Sequence, residues 1–232
     1  MTAILRLSTK YCIAHLRLEA IKHLCKTWAY TLQGHDAMLE TALKTDPINN
    51  MTFPFLHPLH VLHLARETDV RIIIPSALYF LSLYPLQDLL RGDHPKLEAA
   101  SSTGLSNTLT PQDLQEYTLM YQYRIDTILG FVQSVCGERP TSPECTGGRI
   151  CLKAFATLTG RLAAEWVPRT GPLHFFVQGM DELATYPGVC QWCRKTFRQD
   201  VVALRNIVWQ GLPTVVGLPP WEDLEADLHP AP

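Results

Sequence analysis

The sequence predicts an all-α protein, an irregular multi-helix bundle with a cysteine-rich loop region. Three observations lead there. Apolar residues recur at three- and four-residue spacing along most of the chain, which places them on one face of a helix. Alternating β-branched runs joined by Asn-Gly or Asp-Gly turns, the mark of hairpins, do not occur. Hydrophobic residues make up 47% of 232 positions, enough for a sizeable core and too many for a disordered chain.

Taken in order, residues 1–33 read as a helix pair. "AHLRLEAIKHLCKTW" sets Leu16, Ala20, Ile21, Leu24 and Trp28 on one stripe, with Arg17, Glu19, Lys22 and His23 on the other side. Cys12 and Cys25 fall in these amphipathic stretches and are expected in the core. Residues 34–91 open on weak helical signal and turn residues, "GHDAMLETALKTDPINNMTFP", before "LHPLHVLHLARETDV" resumes helical spacing. The run "IIIPSALYFLSLYPL" at 72–86 is broken by Pro75 and Pro85 and is shorter than the ~20 residues of a membrane span, so it reads as a buried helix. Pro75 suits a first helical turn, where its missing N–H is not needed.

Small and polar residues dominate 92–110, which predicts an exposed, flexible loop and the one plausible seam in the chain. From 111 to 224 a C-terminal helical region follows. Thr110 can cap its first helix, Pro111 fits the first position and Asp113 suits the positive helix end. Leu114, Tyr117, Thr118, Tyr121, Ile125, Ile128, Val132 and Val135 mark one face of what should be the central helix. The loop "GERPTSPECTGGR" ends it. "ICLKAFATLTGRLAAEW", "HFFVQGMDELATY" and "WCRKTFRQDVVALRNIVWQGL" then supply three more helices, and 225–232 is expected to be a disordered tail.

Charge narrows the functional classes. Lys and Arg number 20 against 22 Asp and Glu, with no basic cluster of the kind that neutralises phosphates, so neither nucleic acid nor membrane is an expected partner. The start, "MTAILRLSTKYC", is not a secretory signal, and an intracellular location, cytoplasm or nucleus, is expected. Seven cysteines, an odd count, argue against a disulfide framework.

Four of those cysteines form two close pairs. Cys145 and Cys151 in "CTGGRIC" flank a turn eased by Gly147 and Gly148, and Cys190 and Cys193 form the tight "CQWC" pair after "YPG". A structural zinc held by cysteine needs four thiolates, commonly as two pairs from separate loops, and a hairpin of the helices at 150–166 and 174–186 would bring these pairs together. Cys136 is a substitute ligand. Two other readings stay open: thiols packed as small hydrophobes, and a redox pair in "CQWC", whose helix-start position lowers a thiol pKa but which lacks βαβ context.

Other features carry less chemistry. His57, His60 and His63 recur every third residue, so the outer two diverge by about 120° around a helix and all three cannot easily share a metal; they are expected to be partly exposed, His60 the most buried. No nucleophile elbow, zinc-protease His pair, phosphate loop or dinucleotide fingerprint occurs, so no catalytic residue is proposed. Trp166, Trp192, Trp209 and Trp221 are expected in the core, except that Trp221 in "GLPPWEDL" is a candidate interface anchor.

Several stretches also carry a resemblance. "LRLSTKYCIAHLRLEAIKHL" resembles the final helix pair of a BTB/POZ domain, with Ser8 where the family's first pattern has alanine. "LHVLHLARETDVRIIIPSALYFLSLYPL" is similar to the helical segment after that domain in fungal, basidiomycete-type BTB proteins. "CTGGRIC", "VCQWCR" and "WQGLPTVVGLPPWEDL" are similar to the C-terminal pattern of the same group. The strands and early helices of a BTB domain have no counterpart ahead of residue 1: the chain resembles the tail of such a protein, either a truncated relative or one whose N-terminal part was lost, so BTB-type dimerisation and cullin binding do not simply carry over and the resemblance implies the post-BTB helical region. It implies a non-enzymatic adaptor or regulatory module that binds an unidentified protein partner; the alternative is a helical thiol redox protein or enzyme using "CQWC".

Overall fold

The structure, a computed structural model, describes residues 2–99, 104–226 and 228. It is all-α, about 70% helix. Among the described residues extended backbone pairs only in an isolated bridge between Ile48 and Met51. No single helix there is long and apolar enough to cross a membrane. The helices are α1 (Thr2–Lys10), α2 (Ala14–Cys25), α3 (Leu32–Lys44), α4 (Pro58–Glu67), α5 (Ile74–Leu81), α6 (Leu86–Arg91), α7 (Pro95–Ala99), α8 (Pro111–Gly130), α9 (Arg149–Glu165), α10 (Pro172–Thr185), α11 (Gln191–Val215) and α12 (Trp221–Ala226). They form two compact units, Met1–Met120 with Gln210–Pro232, and Tyr121–Trp209. Both boundaries fall inside helices, where composition does not change, and not in the polar segment 92–110.

The first unit is built on α4 and α5. His57 caps α4, its Nδ1 accepting from the Leu59 N–H at 3.2 Å, and Pro58 opens the helix. A 3-10 turn, Arg71–Ile73, leads into α5, of which every residue is buried. This is the continuous apolar run of the sequence, and its burial on all sides explains why no polar stripe interrupts it. Trp28 meets Phe80 edge-on with ring centroids 5.7 Å apart. Arg6 on α1 holds the Glu67 carboxylate through both Nε and Nη2 at 2.7 Å.

The polar segment before α8 is tied to α4. His60 Nε2 lies 2.9 Å from Asn107 Oδ1, and His63 meets the Ser106 carbonyl and the Asp113 carboxylate. Arg66 reaches Asp113 and Glu116 together. Thr110 and Asp113 cap α8 reciprocally: the Asp113 N–H donates to Thr110 Oγ1 at 3.1 Å and the Thr110 N–H to Asp113 Oδ2 at 2.7 Å. Burial alone would raise the Asp113 pKa. The hydrogen bonds from His63 and Thr110 and the Arg66 charge outweigh it and hold the carboxyl down to about 2.

In the second unit α8 runs on as a π-helical stretch, Phe131–Gly137, whose wider turn puts Phe131, Val132 and Cys136 all into the core. Phe131 packs on Phe176 at 4.4 Å and near Phe175 at 6.0 Å. Arg124, fully buried, donates from Nη1 to the Thr170 carbonyl at 2.6 Å and from Nη2 to the Pro168 carbonyl, fastening the turn between α9 and α10.

Several expectations are corrected. Cys12 is exposed in the turn after α1, with φ +55°, because α1 stops at Lys10 and the chain reverses there, and Cys25 is only half-buried as the last residue of α2. Leu16 is exposed. The buried face of α8 carries Asp113, Tyr117, Met120, Arg124 and Ile128, while Leu114 and Thr118 face outward: the face is rotated toward the polar partners on α4 and the α9–α10 turn. His57 and His60 are both fully buried. Within 92–110, α7 forms and buries Lys96 and Leu97, Lys96 Nζ donating to the Pro54 carbonyl at 2.9 Å; residues 100–103 lie outside the described residues. Trp221 is buried at 4% exposure, packed with α12 against the 3-10 turn, so it is a core side chain and not an interface anchor. Trp209 is buried, Trp166 half-buried and Trp192 exposed. Of the expected tail, Glu225 and Ala226 belong to α12; 227 and 229–232 lie outside the described residues.

Candidate metal centre

Each cysteine pair sits where a loop enters a helix. Cys145 lies in the loop after the π-helical stretch and Cys151 in the first turn of α9; Cys190 precedes α11 and Cys193 lies in its first turn. The α9–α10 hairpin returns the second pair to the first, and the four Sγ atoms all lie within 4.8 Å of one another. Cys151 and Cys193 are fully buried, Cys145 and Cys190 half-buried. None of the seven cysteines is in a disulfide.

The backbone is shaped to this cluster. A Cβ on Gly147 would come 2.5 Å from Cys151 Sγ, so any side chain there would displace the sulfur. Gly188 takes φ +83°, a left-handed conformation that turns "YPG" back toward the cluster. Backbone N–H groups converge on the sulfurs: Cys190 N–H on Cys151 Sγ at 3.4 Å, Ser142 N–H on Cys193 Sγ at 3.4 Å, and Cys193 N–H on Cys190 Sγ at 3.5 Å. Donors of this kind, with two helix starts pointing at the site, favour thiolate over thiol.

The thiols are unlike one another. The Cys193 N–H leads the interactions that draw Cys190 down to about 5, against some desolvation, with Thr146 and neighbouring cysteines adding to it. Burial pushes Cys193 up to about 12 and raises Cys151 as well. Four crowded sulfurs share negative charge poorly, which sets one thiol apart from its buried neighbours. A divalent cation would reverse that, deprotonating the remaining thiols.

Geometry fits such an ion. A tetrahedron with Zn–S of about 2.3 Å has edges of about 3.8 Å. Cys190 and Cys145 stand 3.8 Å apart, and since all four sulfurs lie within 4.8 Å of one another, no separation needs to close by more than about 1 Å. No family model, curated protein or solved structure matches the chain. The site must therefore be read from its own chemistry.

Cys136, the expected substitute ligand, is buried in the π-helical stretch with its thiol pushed up to about 12 by burial and does not join the cluster. The three histidines do not converge either: His57 stacks near Tyr84 and His94 at 4.6 and 5.1 Å, while His60 and His63 bond separately to the segment before α8. Sequence reasoning missed the N–H donors, of which Ser142 lies outside both cysteine pairs. The only hint was the turn-rich "RPTSPEC" ahead of Cys145.

Proposed function

We propose that this chain is an intracellular, non-enzymatic protein-interaction module, related to the helical region that follows the BTB domain in fungal proteins, whose loops are joined by a structural zinc ion on Cys145, Cys151, Cys190 and Cys193. The observation that carries the reading is the convergence of four sulfurs from two loop-to-helix junctions. A four-cysteine tetrahedron is closed: it leaves no position for water or substrate, which is the arrangement of structural rather than catalytic zinc. Zinc binding of this kind contributes folding energy, and the helices it holds are then available to display a surface to a partner.

Elemental analysis of protein purified without added metal tests the reading. About one zinc per chain, with helical circular dichroism lost on chelation, is expected. Metal-free protein with its helix content intact would overturn it. A thiol redox function is the second reading, favoured by the half-buried Cys190 Sγ at the start of α11, toward which the Cys193 N–H points at 3.5 Å. Zinc-free protein whose Cys190 is alkylated rapidly near neutral pH would move that reading to the front.

A further inference from the structure

Between α10 and the first two turns of α11, within the second unit, lies a cavity of about 430 Å³. That is in the range of pockets that enclose small ligands or single side chains of a partner. Leu183 and Phe197, each 1% exposed, contribute its apolar lining. Arg194, Lys195 and Arg198 line it as well, against one carboxylate, Asp181. Arg194 and Arg198 are one helical turn apart and so project from the same side of α11.

These cations are not neutralised within the described residues. Lys195 and Arg198 form no ion pair there. Arg194 donates from Nη2 to the Tyr186 carbonyl at 2.7 Å, while its Nε–H, sealed from solvent, has no acceptor. The neighbouring carboxylates in sequence, Glu182 and Asp200, are engaged by Arg161 and Arg139. Lys195 lies over the exposed Trp192 ring, 5.8 Å from its centroid. In a chain of net charge −2 this is a local excess of positive charge over an apolar floor.

We infer that the α10–α11 cleft docks an acidic peptide segment of a protein partner, with a Glu or Asp carboxylate taken by the Arg194, Lys195 and Arg198 side and an adjacent apolar residue against Leu183 and Phe197. This rests on the binding role proposed above and names the chemistry of the partner. Charge complementarity selects the acidic residue, and the apolar lining selects a peptide over a bare inorganic anion, which could not use it.

Fluorescence anisotropy on the full chain tests the assignment, with a short fluorescein-labelled peptide of alternating Glu and Leu and its Gln/Leu counterpart. The Glu/Leu peptide is expected to bind saturably at physiological salt and the Gln/Leu peptide roughly tenfold more weakly or less. Lys195→Glu and Arg198→Glu, both at exposed positions, should each weaken binding roughly tenfold with circular dichroism and zinc content unchanged. Lys153→Glu on exposed α9 makes the same change in net charge and should leave affinity within about twofold. Equal binding of the two peptides, equal losses in all three variants, or inorganic phosphate binding as tightly as the peptide would overturn the assignment. Saturable binding that ignores the α11 variants would leave the binding role standing and remove this cleft from it. Cleft-dependent binding by zinc-free protein would support the cleft and remove the zinc.

Discussion

Cys190 Sγ stands 3.8 Å from Cys145 Sγ, although 45 positions separate the two residues along the chain. That distance is nearly twice a disulfide bond and matches an edge of a zinc–thiolate tetrahedron, about 3.8 Å. Cys190→Ser should therefore lower zinc content well below about one per chain and destabilise the protein by several kcal/mol. Cys136→Ala, at a buried thiol outside the cluster, should keep its zinc and cost about 1 kcal/mol. Elemental analysis beside thermal melts separates the two. Identical zinc content in both variants would remove Cys190 from the ligand set.

Gly147 has no room for a methyl group beside Cys151. Gly147→Ala should push the sulfur aside, weaken zinc retention against a competing chelator roughly tenfold or more, and destabilise by roughly 1–3 kcal/mol. Gly160→Ala, where a Cβ meets nothing, serves as the control and should stabilise α9 slightly. Zinc retention unchanged in Gly147→Ala would mean that the turn yields without cost.

His57, in the first unit, predicts acid sensitivity. Burial, then the nearby His94, His60 and Lys96, depress its pKa from 6.5 to about 3. Between those values the unfolded chain binds a proton that the folded chain refuses, so stability rises with pH across the window. The contribution is fully present above about 6.5 and is lost as pH falls toward 3, on the order of 5 kcal/mol in all. Asp113 adds a second loss at lower pH, as the medium falls through 3.8 toward 2. Urea melts at pH 7.5 and 5 should differ by roughly 2 kcal/mol in the native chain and much less in His57→Asn, which can still cap α4. Equal pH slopes in both proteins would count against this account.

Arg124 is 0% exposed and its guanidinium donates to the carbonyls of Thr170 and Pro168. Arg124→Met keeps most of the volume and leaves those carbonyls without their donor, so a loss of roughly 3 kcal/mol is expected in denaturant titration, with little change in slope. A loss under about 1 kcal/mol would show that water replaces the guanidinium at the turn.

What the sequence by itself determined was the local order of the chain. Spacing of apolar residues marks helices wherever one stripe is long. The unbroken run at 72–86 announces a helix buried on every side, as α5 is. The glycine-flanked cysteine pairs announce two turns entering helices. Only the tertiary structure decided which of two overlapping faces of α8 turns inward. Periodicity does not distinguish a face led by Leu114 and Thr118 from one led by Asp113 and Arg124. The second wins because His63 and Arg66, and the carbonyls of Pro168 and Thr170, are positioned to satisfy those polar groups. A polar partner likewise meets buried His60 at Asn107, whereas Cys12 lies outside because α1 ends at Lys10 and the chain turns there. For the cysteine cluster the spacing of each pair is local information and the helix pattern between them offers a hairpin, but whether the pairs meet is decided by the packing of α10 on α9.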